Sequence, residues 1–375
     1  MMCKLSDICE FVKGKVAVSN LTKTNYISTE NMLPNRGGIV EATTLPSVDT
    51  TQTYTKCDIL VSNIRPYFKK IWLATTSGGC SNDVLVFRAK KDVNPFYLYY
   101  ILSDDRFFNY ATATSKGTKM PRGDKIAIMN YEIEKHSRSE QDVIASILRP
   151  IDEKIALNRE INNNLEKQLS ILYRQLFENE SRDVELGSVV ETTSGGTPSR
   201  KNPEFYEPFG ICWVKSKELL STYIIDTEEH INEMAINKSS AKLLPKHSVL
   251  IAMYGATVGA YGIISSQMTC NQAVCALLPN DKYPYTYLFQ VAKESQQILI
   301  NMAVGSAQQN ISQILIKQLP IHSNTTVIEA FHTVAMSIHH KIEAMQHENR
   351  TLMNLRETLL PQLLLGELDV STIEF

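Results

Sequence analysis

The stretch IDEKIALNREINNNLEKQLSILYRQL, residues 151–176, returns in outline 187 residues later as IHHKIEAMQHENRTLMNLRETLLPQL, residues 338–363. The two copies align without a gap, and eight positions keep the same residue. The shared positions are Ile151 and Ile338, Lys154 and Lys341, Ile155 and Ile342, Asn162 and Asn349, Leu165 and Leu352, Leu172 and Leu359, Gln175 and Gln362, and Leu176 and Leu363. A period this long is not that of a solenoid, so it indicates a duplicated module.

Both copies carry apolar residues at steps of three and four, the spacing of a helix with one buried stripe. The two stripes comprise Ile144, Leu148, Ile151, Ile155, Leu165, Leu169, Leu172 and Leu176 in the first copy, and Phe331, Ala335, Ile338, Ile342, Met345, Leu352, Leu359 and Leu363 in the second. Because each stripe must be buried, we predict that the two helices form an antiparallel coiled coil with a globular domain at each end.

Three polar or helix-breaking features refine this prediction. Asn162 and Asn349 either fix the register of the coiled coil or lie in a solvated polar run. Ser139 with Asp142 resembles a capping box, which predicts the start of the first helix. Pro150 predicts a kink or a fresh start within that helix.

The repeat continues outside the helices and divides the chain into four segments. Residues 5–14 resemble residues 186–195, residues 58–62 resemble 248–252, and Ser81-Asn-Asp-Val84 answers Cys270-Asn-Gln-Ala273. The predicted organisation is a globular segment (1–138), a helical spacer (139–182), a second globular segment (183–322) and a second helical spacer (323–375).

The two globular segments are predicted to be mixed α/β. Short β-branched or aliphatic runs bounded by turn residues predict strands, and two aromatic-rich runs predict short helices. The predicted strands cover residues 58–61, 84–87 and 249–253, and the predicted helices cover residues 96–102 and 286–295.

Charge is unevenly distributed along the chain, whose net charge is −2. Residues 1–138 hold 19 Lys and Arg against 13 Asp and Glu, whereas residues 183–322 hold 10 against 12. The first segment alone therefore looks suited to a phosphate backbone, and the second needs a local basic patch or a neighbouring subunit.

The composition argues against membrane insertion, a disulfide scaffold and a zinc site. Apolar runs are short, and the first residues lack the apolar core of a signal peptide, so a cytoplasmic location is expected. The seven cysteines are scattered and contain no C-x-x-C pair, so reduced and mostly buried thiols are predicted.

No familiar catalytic signature is present in the sequence. It contains no phosphate-binding P-loop, no G-x-S-x-G and no H-E-x-x-H, so we expect neither a catalytic centre nor a bound cofactor. His339, Glu343 and His347 form a stripe at helical spacing, but such a stripe is more typical of a solvated face than of a metal site.

Loops that mix cations, amides and hydroxyls are the remaining candidates, because such side chains contact phosphates and base edges. In the first globular segment the candidates are Arg65, Lys69, Lys70, Lys116, Thr118, Lys119 and Arg122. In the second they are Ser199, Arg200, Lys201, Lys215, Ser306, Gln308, Gln309 and Asn310. The loop at 115–125 is basic, whereas its counterpart at 305–310 is uncharged and rich in amides suited to adenine.

Several short motifs, together with the duplication, resemble a known family. They are TSGGTPS at 193–199, LLP at 243–245, AMYG at 252–255, CNQ at 270–272, GSAQ at 305–308 and LLPQLLLGEL at 359–368. Across essentially its whole length the chain resembles the specificity subunit of type I restriction–modification enzymes. The amide-rich loop at 305–310 is a departure, since it lacks the cations of the first copy.

The resemblance implies two target-recognition domains, each reading one half of a split double-stranded DNA target. It also implies two modification subunits, which carry S-adenosylmethionine and methylate adenine, and two restriction subunits, which translocate and cut DNA. This chain would carry neither activity.

Two alternatives stay open from the sequence. A fused DNA methyltransferase would need an adenine-binding N/D-P-P-Y/F/W motif, and residues 62–67, the nearest stretch, lack the paired prolines. A coiled-coil protein-interaction scaffold would show the same helices and duplication without reading DNA.

Overall fold

The computed structural model describes residues 2–220, 222–303, 310–368 and 370. The chain divides into two compact units. Unit 1 comprises Met1–Lys154 and Leu352–Phe375, and unit 2 comprises Ile155–Thr351. Each unit therefore combines one globular segment with part of each long helix.

Unit 1 is a mixed α/β fold, as predicted. Its strands are β1 (Met2–Lys4), β2 (Cys9–Phe11), β3 (Lys15–Ala17), β4 (Tyr26–Ile27), β5 (Thr50–Tyr54), β6 (Ile59–Ser62), β7 (Ile71–Leu73), β8 (Gly78–Cys80), β9 (Val84–Ala89) and β10 (Glu132–Glu134). Its shorter helices are α1 (Leu5–Ile8), α2 (Pro95–Ser103), α3 (Asp105–Ala113) and α4 (Lys125–Met129). The strands form four-stranded sheets of order β2-β9-β6-β7 and β3-β5-β8-β4, and β1 pairs with β10.

The core of unit 1 lies between its first sheet and its helices. Phe87 of β9, Tyr97 of α2 and Phe107 of α3 are buried there. Ile144 and Leu363, from the two long helices, join the same cluster. Burial of the long-helix stripes therefore contributes directly to the core of the globular part.

Unit 2 repeats this plan. The long helix α5 (Arg138–Phe177) enters it, followed by strands β11 (Val184–Glu185), β12 (Glu191–Ser194), β13 (Tyr206–Glu207), β14 (Ile211–Val214), β15 (Tyr223–Ile224), β16 (His230–Ile231), β17 (Val249–Ala252), β18 (Tyr261–Ile264), β19 (Thr269–Cys270), β20 (Val274–Leu278) and β21 (Pro320–Ile321). The remaining helices are α6 (Leu186–Val189), α7 (Glu233–Asn237), α8 (Tyr285–Met302), α9 (Gln313–Lys317) and α10 (Thr325–Leu364). The sheets have the orders β12-β20-β17-β18-β15, β13-β16-β14-β19 and β11-β21.

The duplication extends to individual hydrogen bonds. In unit 1 the Asn63 amide donates to the Asp83 carbonyl across 2.8 Å, and in unit 2 the Met253 amide donates to the Ala273 carbonyl across 2.8 Å. The parallel pairing of β4 with β8 is likewise matched by that of β14 with β19. The two globular segments therefore share one fold.

The sequence alignment of the repeat is wrong by one residue after β8. The Ser81 amide donates to the Ile27 carbonyl, and the Asn271 amide donates to the Val214 carbonyl. Ser81 therefore corresponds to Asn271, not to Cys270. The sequence alignment matched Asn82 with Asn271 because the two side chains are identical, but the backbone hydrogen bonds show that this match is out of register by one residue.

The two long helices are each 40 residues long and pair antiparallel within each unit, as predicted. In unit 1, Arg356 Nη1 donates to Asp152 Oδ1 across 2.8 Å. In unit 2, Asn158 Nδ2 donates to Asn349 Oδ1 across 3.0 Å, and the rings of Phe177 and Phe331 pack with centroids 6.1 Å apart. The contacting residue numbers rise along α5 as they fall along α10, which defines the antiparallel direction.

The polar residues of the predicted coiled coil face its seam. Asn162 is 5% exposed and Asn349 is 8% exposed, so neither lies in a solvated run. Asn158, one turn before Asn162, is fully buried beside them. Whether these asparagines fix the register stays a prediction.

The first long helix begins differently from the prediction. Ser137 and Glu140, not Ser139 and Asp142, form the capping box: the Ser137 amide donates to Glu140 Oε2 across 2.6 Å, and the Glu140 amide donates to Ser137 Oγ across 3.3 Å. Glutamate reaches back to the cap more easily than aspartate. The helix then continues through Pro150 without a fresh start.

Candidate nucleic-acid interface

The two basic loops of unit 1, residues 63–70 and 115–125, are joined by backbone hydrogen bonds into one surface, called here the basic surface. The Arg65 amide donates to the Pro121 carbonyl across 2.8 Å. Ile64 and Arg122 form an isolated β-bridge, and Lys116 and Arg122 form another. Candidate cations that are far apart in the sequence are thus brought together.

An unusual backbone turn shapes the first of these loops. Arg65 and Lys69 flank the short turn Pro66–Phe68, and both adopt left-handed conformations, with φ of 50° and 51°. Such angles are uncommon for residues other than glycine and often accompany functional loops. The turn leaves Tyr67 47% exposed and Phe68 38% exposed, with ring centroids 4.8 Å apart. An exposed ring such as that of Phe68 can contact a thymine methyl group in the major groove.

Three candidate cations of the basic surface form ion pairs with aspartates. Lys69 Nζ lies 2.9 Å from Asp105, Lys116 Nζ lies 2.5 Å from Asp124, and Arg122 Nη2 lies 3.0 Å from Asp83. Pairs of this kind are weak where they are exposed, so the cations can exchange a carboxylate for a phosphate.

Carboxylate pKa values reflect this pairing. The hydrogen bond from Lys116 is the main cause that lowers the pKa of Asp124. Burial alone would raise the pKa of Asp105, but hydrogen bonds from Lys69 and Arg36 outweigh it and lower that pKa. Arg36, absent from the sequence-based candidates, therefore belongs to the same cluster, and its backbone amide also donates to the Lys69 carbonyl across 2.9 Å.

The remaining candidates of unit 1 differ in availability. Thr118 and Lys119 are exposed, and Lys119 has no ion-pair partner among the residues that the structure describes. Lys70, in contrast, donates to the Thr29 carbonyl across 2.6 Å, and burial lowers its pKa. Among the sequence-predicted cations of the basic surface, Lys119 is therefore available to a ligand, whereas the Lys70 ammonium is already bound to a backbone carbonyl.

In unit 2, two candidate cations converge on one glutamate. Arg200 contacts both Glu229 oxygens, at 2.8 and 2.7 Å, and Lys215 Nζ lies 2.6 Å from the same carboxylate. The hydrogen bond from Arg200 is the largest cause that lowers the pKa of Glu229 to about 2. The Arg200 guanidinium also lies 4.3 Å from the centroid of the Tyr206 ring. We call Arg200, Lys215 and Glu229 the cation clamp.

Ser199 and Lys201 lie beside the cation clamp on the exposed loop. Ser199 Oγ accepts from the Lys201 amide across 3.3 Å, which stabilises the turn there. The structure therefore brings Ser199, Arg200, Lys201 and Lys215 into one region of unit 2, which the sequence did not predict.

Asn310 occupies the position in unit 2 that Arg122 occupies in unit 1. Asn310 forms an isolated β-bridge with Tyr254, and Arg122 forms one with Ile64 at the equivalent point of the repeat. Asn310 is exposed and Tyr254 is 37% exposed beside it. Ser306, Gln308 and Gln309 lie outside the described residues.

The histidine stripe on α10 is not the solvated face that the sequence suggested. His339 is fully buried, with Nδ1 3.1 Å from the Tyr223 hydroxyl, and Glu343 is 8% exposed. His347 is exposed. Among the described residues, the one group whose ligand atoms converge as a metal site would require lies elsewhere, at Cys212, Asp226 and His230.

Two properties of the described residues are also relevant. All seven cysteines are free, and four of them are buried. None of the described helices is both long enough and apolar enough to cross a membrane.

Comparisons with known proteins place the two halves in one family. The family model for the type I restriction modification DNA specificity domain matches residues 1–167 and again residues 178–323. The MjaIX specificity subunit of Methanocaldococcus jannaschii is 23% identical over 325 residues, which cover 80% of this chain and 74% of the relative. The EcoR124I/EcoR124II specificity subunit of Escherichia coli is 29% identical over 156 residues, 39% of each chain.

A solved structure supports the fold. The S subunit of the type I restriction–modification system from M. genitalium matches with a TM-score of 0.58 and 16% identity, over 97% of this chain and 96% of that one. At this identity the match establishes the fold alone.

Proposed function

The chain belongs to the type I restriction–modification DNA specificity family, and on that premise we propose that it is the subunit that reads a bipartite double-stranded DNA target. The observation that carries the proposal is the double match of one DNA specificity model, to residues 1–167 and to residues 178–323. Two copies of one recognition fold suit a target made of two separate half-sites.

We assign the reading of one half-site to residues 1–138 and of the other to residues 183–322. The helical segments 139–182 and 323–375 serve as spacers between them. In this scheme the basic surface contacts DNA in the first domain, and the cation clamp with Asn310 contacts it in the second.

Different chemistry in the two domains suits different roles. Cations such as Lys119 neutralise phosphates and supply affinity that is independent of sequence. An exposed amide such as Asn310 can pair with the N6 and N7 edge of adenine, which supplies discrimination. The first domain is therefore expected to contribute more of the salt-dependent affinity.

In this proposal the chemistry is done by partner subunits in the cytoplasm. Two modification subunits methylate adenine with S-adenosylmethionine, and two restriction subunits translocate and cut DNA. In this proposal the chain determines the DNA sequence at which they act.

Selection of bound sequences from randomised duplex DNA tests the proposal. The chain is used alone and together with its methyltransferase subunits, and a split consensus with a fixed gap is expected. Methyl transfer by the isolated chain would favour a fused methyltransferase instead. Binding of protein partners without any sequence preference would favour an interaction scaffold.

A further inference from the structure

Three side chains with different ligand atoms meet on one edge of unit 2. Cys212 lies on β14 and His230 on β16, and the two are direct cross-strand partners in the antiparallel pairing. Asp226 precedes His230 by one short loop. The thiol sulfur, an imidazole nitrogen and a carboxylate oxygen all lie within 4.8 Å of one another.

The spacing of these atoms is close to that of ligands around one small cation. Cys212 Sγ lies 3.7 Å from Asp226 Oδ1, and His230 Nε2 lies 2.8 Å from the same oxygen. Ligands bound tetrahedrally to zinc at about 2.0–2.3 Å are separated by about 3.2–3.8 Å. The Sγ–Oδ1 separation already lies in this range, and the Nε2–Oδ1 separation must widen by about 0.5 Å.

The carboxylate is held in place by its surroundings. Asp226 Oδ1 accepts from the Thr227 amide across 2.9 Å, and Arg350 of α10 contacts the other oxygen. Thr227 Oγ1 in turn accepts from the Trp213 amide across 3.1 Å, which ties the loop to β14. Preorganised ligands lower the cost of forming a metal site.

We propose that Cys212, Asp226 and His230 bind one zinc ion in unit 2. A set of sulfur, nitrogen and oxygen ligands is typical of zinc and excludes magnesium and calcium, which prefer oxygen alone. The three residues face a cleft of about 950 Å³, so a water molecule can take the fourth position.

The charges and protons of the binding step balance. Burial raises the pKa of the Cys212 thiol, so it is neutral before the ion arrives and releases one proton on binding. The hydrogen bond from His230 to Asp226 Oδ1 places a proton on Nε2, and that proton moves to Nδ1 when Nε2 binds the ion, so the imidazole adds no charge to the site. One thiolate and one carboxylate then offset the two charges of the ion.

The ion would brace the cation clamp. Glu229 of the cation clamp directly precedes the ligand His230, and Trp213 directly follows the ligand Cys212. A zinc cross-link between β14 and β16 would hold Glu229 in place beneath Arg200. The existence of the site does not depend on the DNA-binding proposal.

Metal titration of the tag-free, reduced, chelator-stripped full chain tests the site. Calorimetry should show one zinc ion per chain, and cobalt as a probe should give a thiolate-to-cobalt charge-transfer absorption. Cys212→Ser and His230→Gln should each lose the stoichiometric binding, and Cys212→Ser should lose the absorption. Cys57→Ser, at a half-buried cysteine of unit 1, is the matched control and should keep both.

Two results would overturn the proposal: no stoichiometric binding by the unaltered chain, or equal binding by Cys212→Ser. Circular dichroism checks that each variant is folded. If a variant does not fold, X-ray absorption of the zinc-loaded unaltered chain decides the matter, because the proposal requires one sulfur in the zinc shell. A shell with no sulfur, or with several, would place the ion elsewhere.

Discussion

Asn158 and Asn349 meet in the seam between the two long helices, where Asn158 Nδ2 donates to Asn349 Oδ1 across 3.0 Å. Both side chains are buried, and Asn158 Nδ2 also lies 2.7 Å from Glu348 Oε2. A buried polar pair of this kind lowers the stability of a coiled coil but favours one register.

Replacing one partner of this pair should cost more than replacing both. Asn349→Leu removes one of the two acceptors of the buried Asn158 Nδ2, so the free energy of unfolding should fall by about 1–3 kcal/mol. Asn158→Leu with Asn349→Leu should recover much of that loss. Urea denaturation measures all three proteins, with Asn163→Leu at an exposed position as control. An equal loss for the single and double variants would contradict a direct interaction.

Buried histidines should make unit 2 sensitive to acid. Burial lowers the pKa of His339 to about 3 and of His322 to about 4, whereas an unfolded histidine titrates near about 6.5. As the pH falls below about 6.5, the unfolded state therefore takes up protons that the folded state does not. The contribution of these histidines to stability is therefore fully present above that pH and declines as the pH falls toward about 4.

His339→Gln should flatten this dependence, because one of the titrating groups is gone. Denaturation at a series of pH values between about 7 and 4 measures the slope, and exposed His347→Gln serves as control. The nearby Glu343 raises the pKa of His247, against the lowering by burial. The test therefore compares the pH slope of each variant with that of the unaltered chain. An identical slope in His339→Gln would show that this histidine does not carry the effect.

The salt dependence of DNA binding should locate the phosphate contacts. Lys119→Gln is expected to weaken binding to all sequences alike and to reduce the salt slope by about one unit. Charge removal at Arg65, Lys69, Lys116, Lys119 and Arg122 together should reduce it further.

Lys91→Gln is the matched control for this measurement. Lys91 is exposed and lies just past the carboxyl end of β9, whereas Asp83, the partner of Arg122, lies just before its start. An unchanged slope in the combined variant would place the DNA on a different surface.

Asn310 should act on base choice rather than on overall affinity. Loss of a bidentate amide contact to adenine costs about 1–3 kcal/mol of discrimination at one base pair. Asn310→Ala should therefore relax the preference at one position of one half-site and leave the salt slope unchanged. Selection from randomised DNA measures this. Uniform weakening across all sequences would instead indicate a phosphate contact.

The long-range architecture could be predicted from the sequence because it depends on periodicity. The stripes of Leu and Ile along residues 144–176 and 331–363 predicted both helices and their antiparallel pairing, and the strand at β6 was predicted to within one residue. The repeat predicted the division into two equivalent globular segments, since two copies of one sequence pattern are expected to share one fold.

The details of the site could not be predicted in this way, because they depend on contacts between residues far apart in the chain. Nothing near Arg200 in the sequence indicates that Glu229 will neutralise it, and nothing near His339 indicates that Tyr223 will cover it. Cys212 and His230 become neighbours only through the pairing of β14 with β16. Side-chain chemistry identified candidates, and tertiary packing decided which are available.

Exchange of one recognition domain tests the central claim most directly. Residues 1–138 are replaced by the matching segment of a relative with a known target, and the assembled complex selects its sites from randomised DNA. The account predicts that one half of the split consensus changes to that of the relative while the other half is unchanged. A consensus in which both halves change together, or in which neither does, would contradict two independent reading domains.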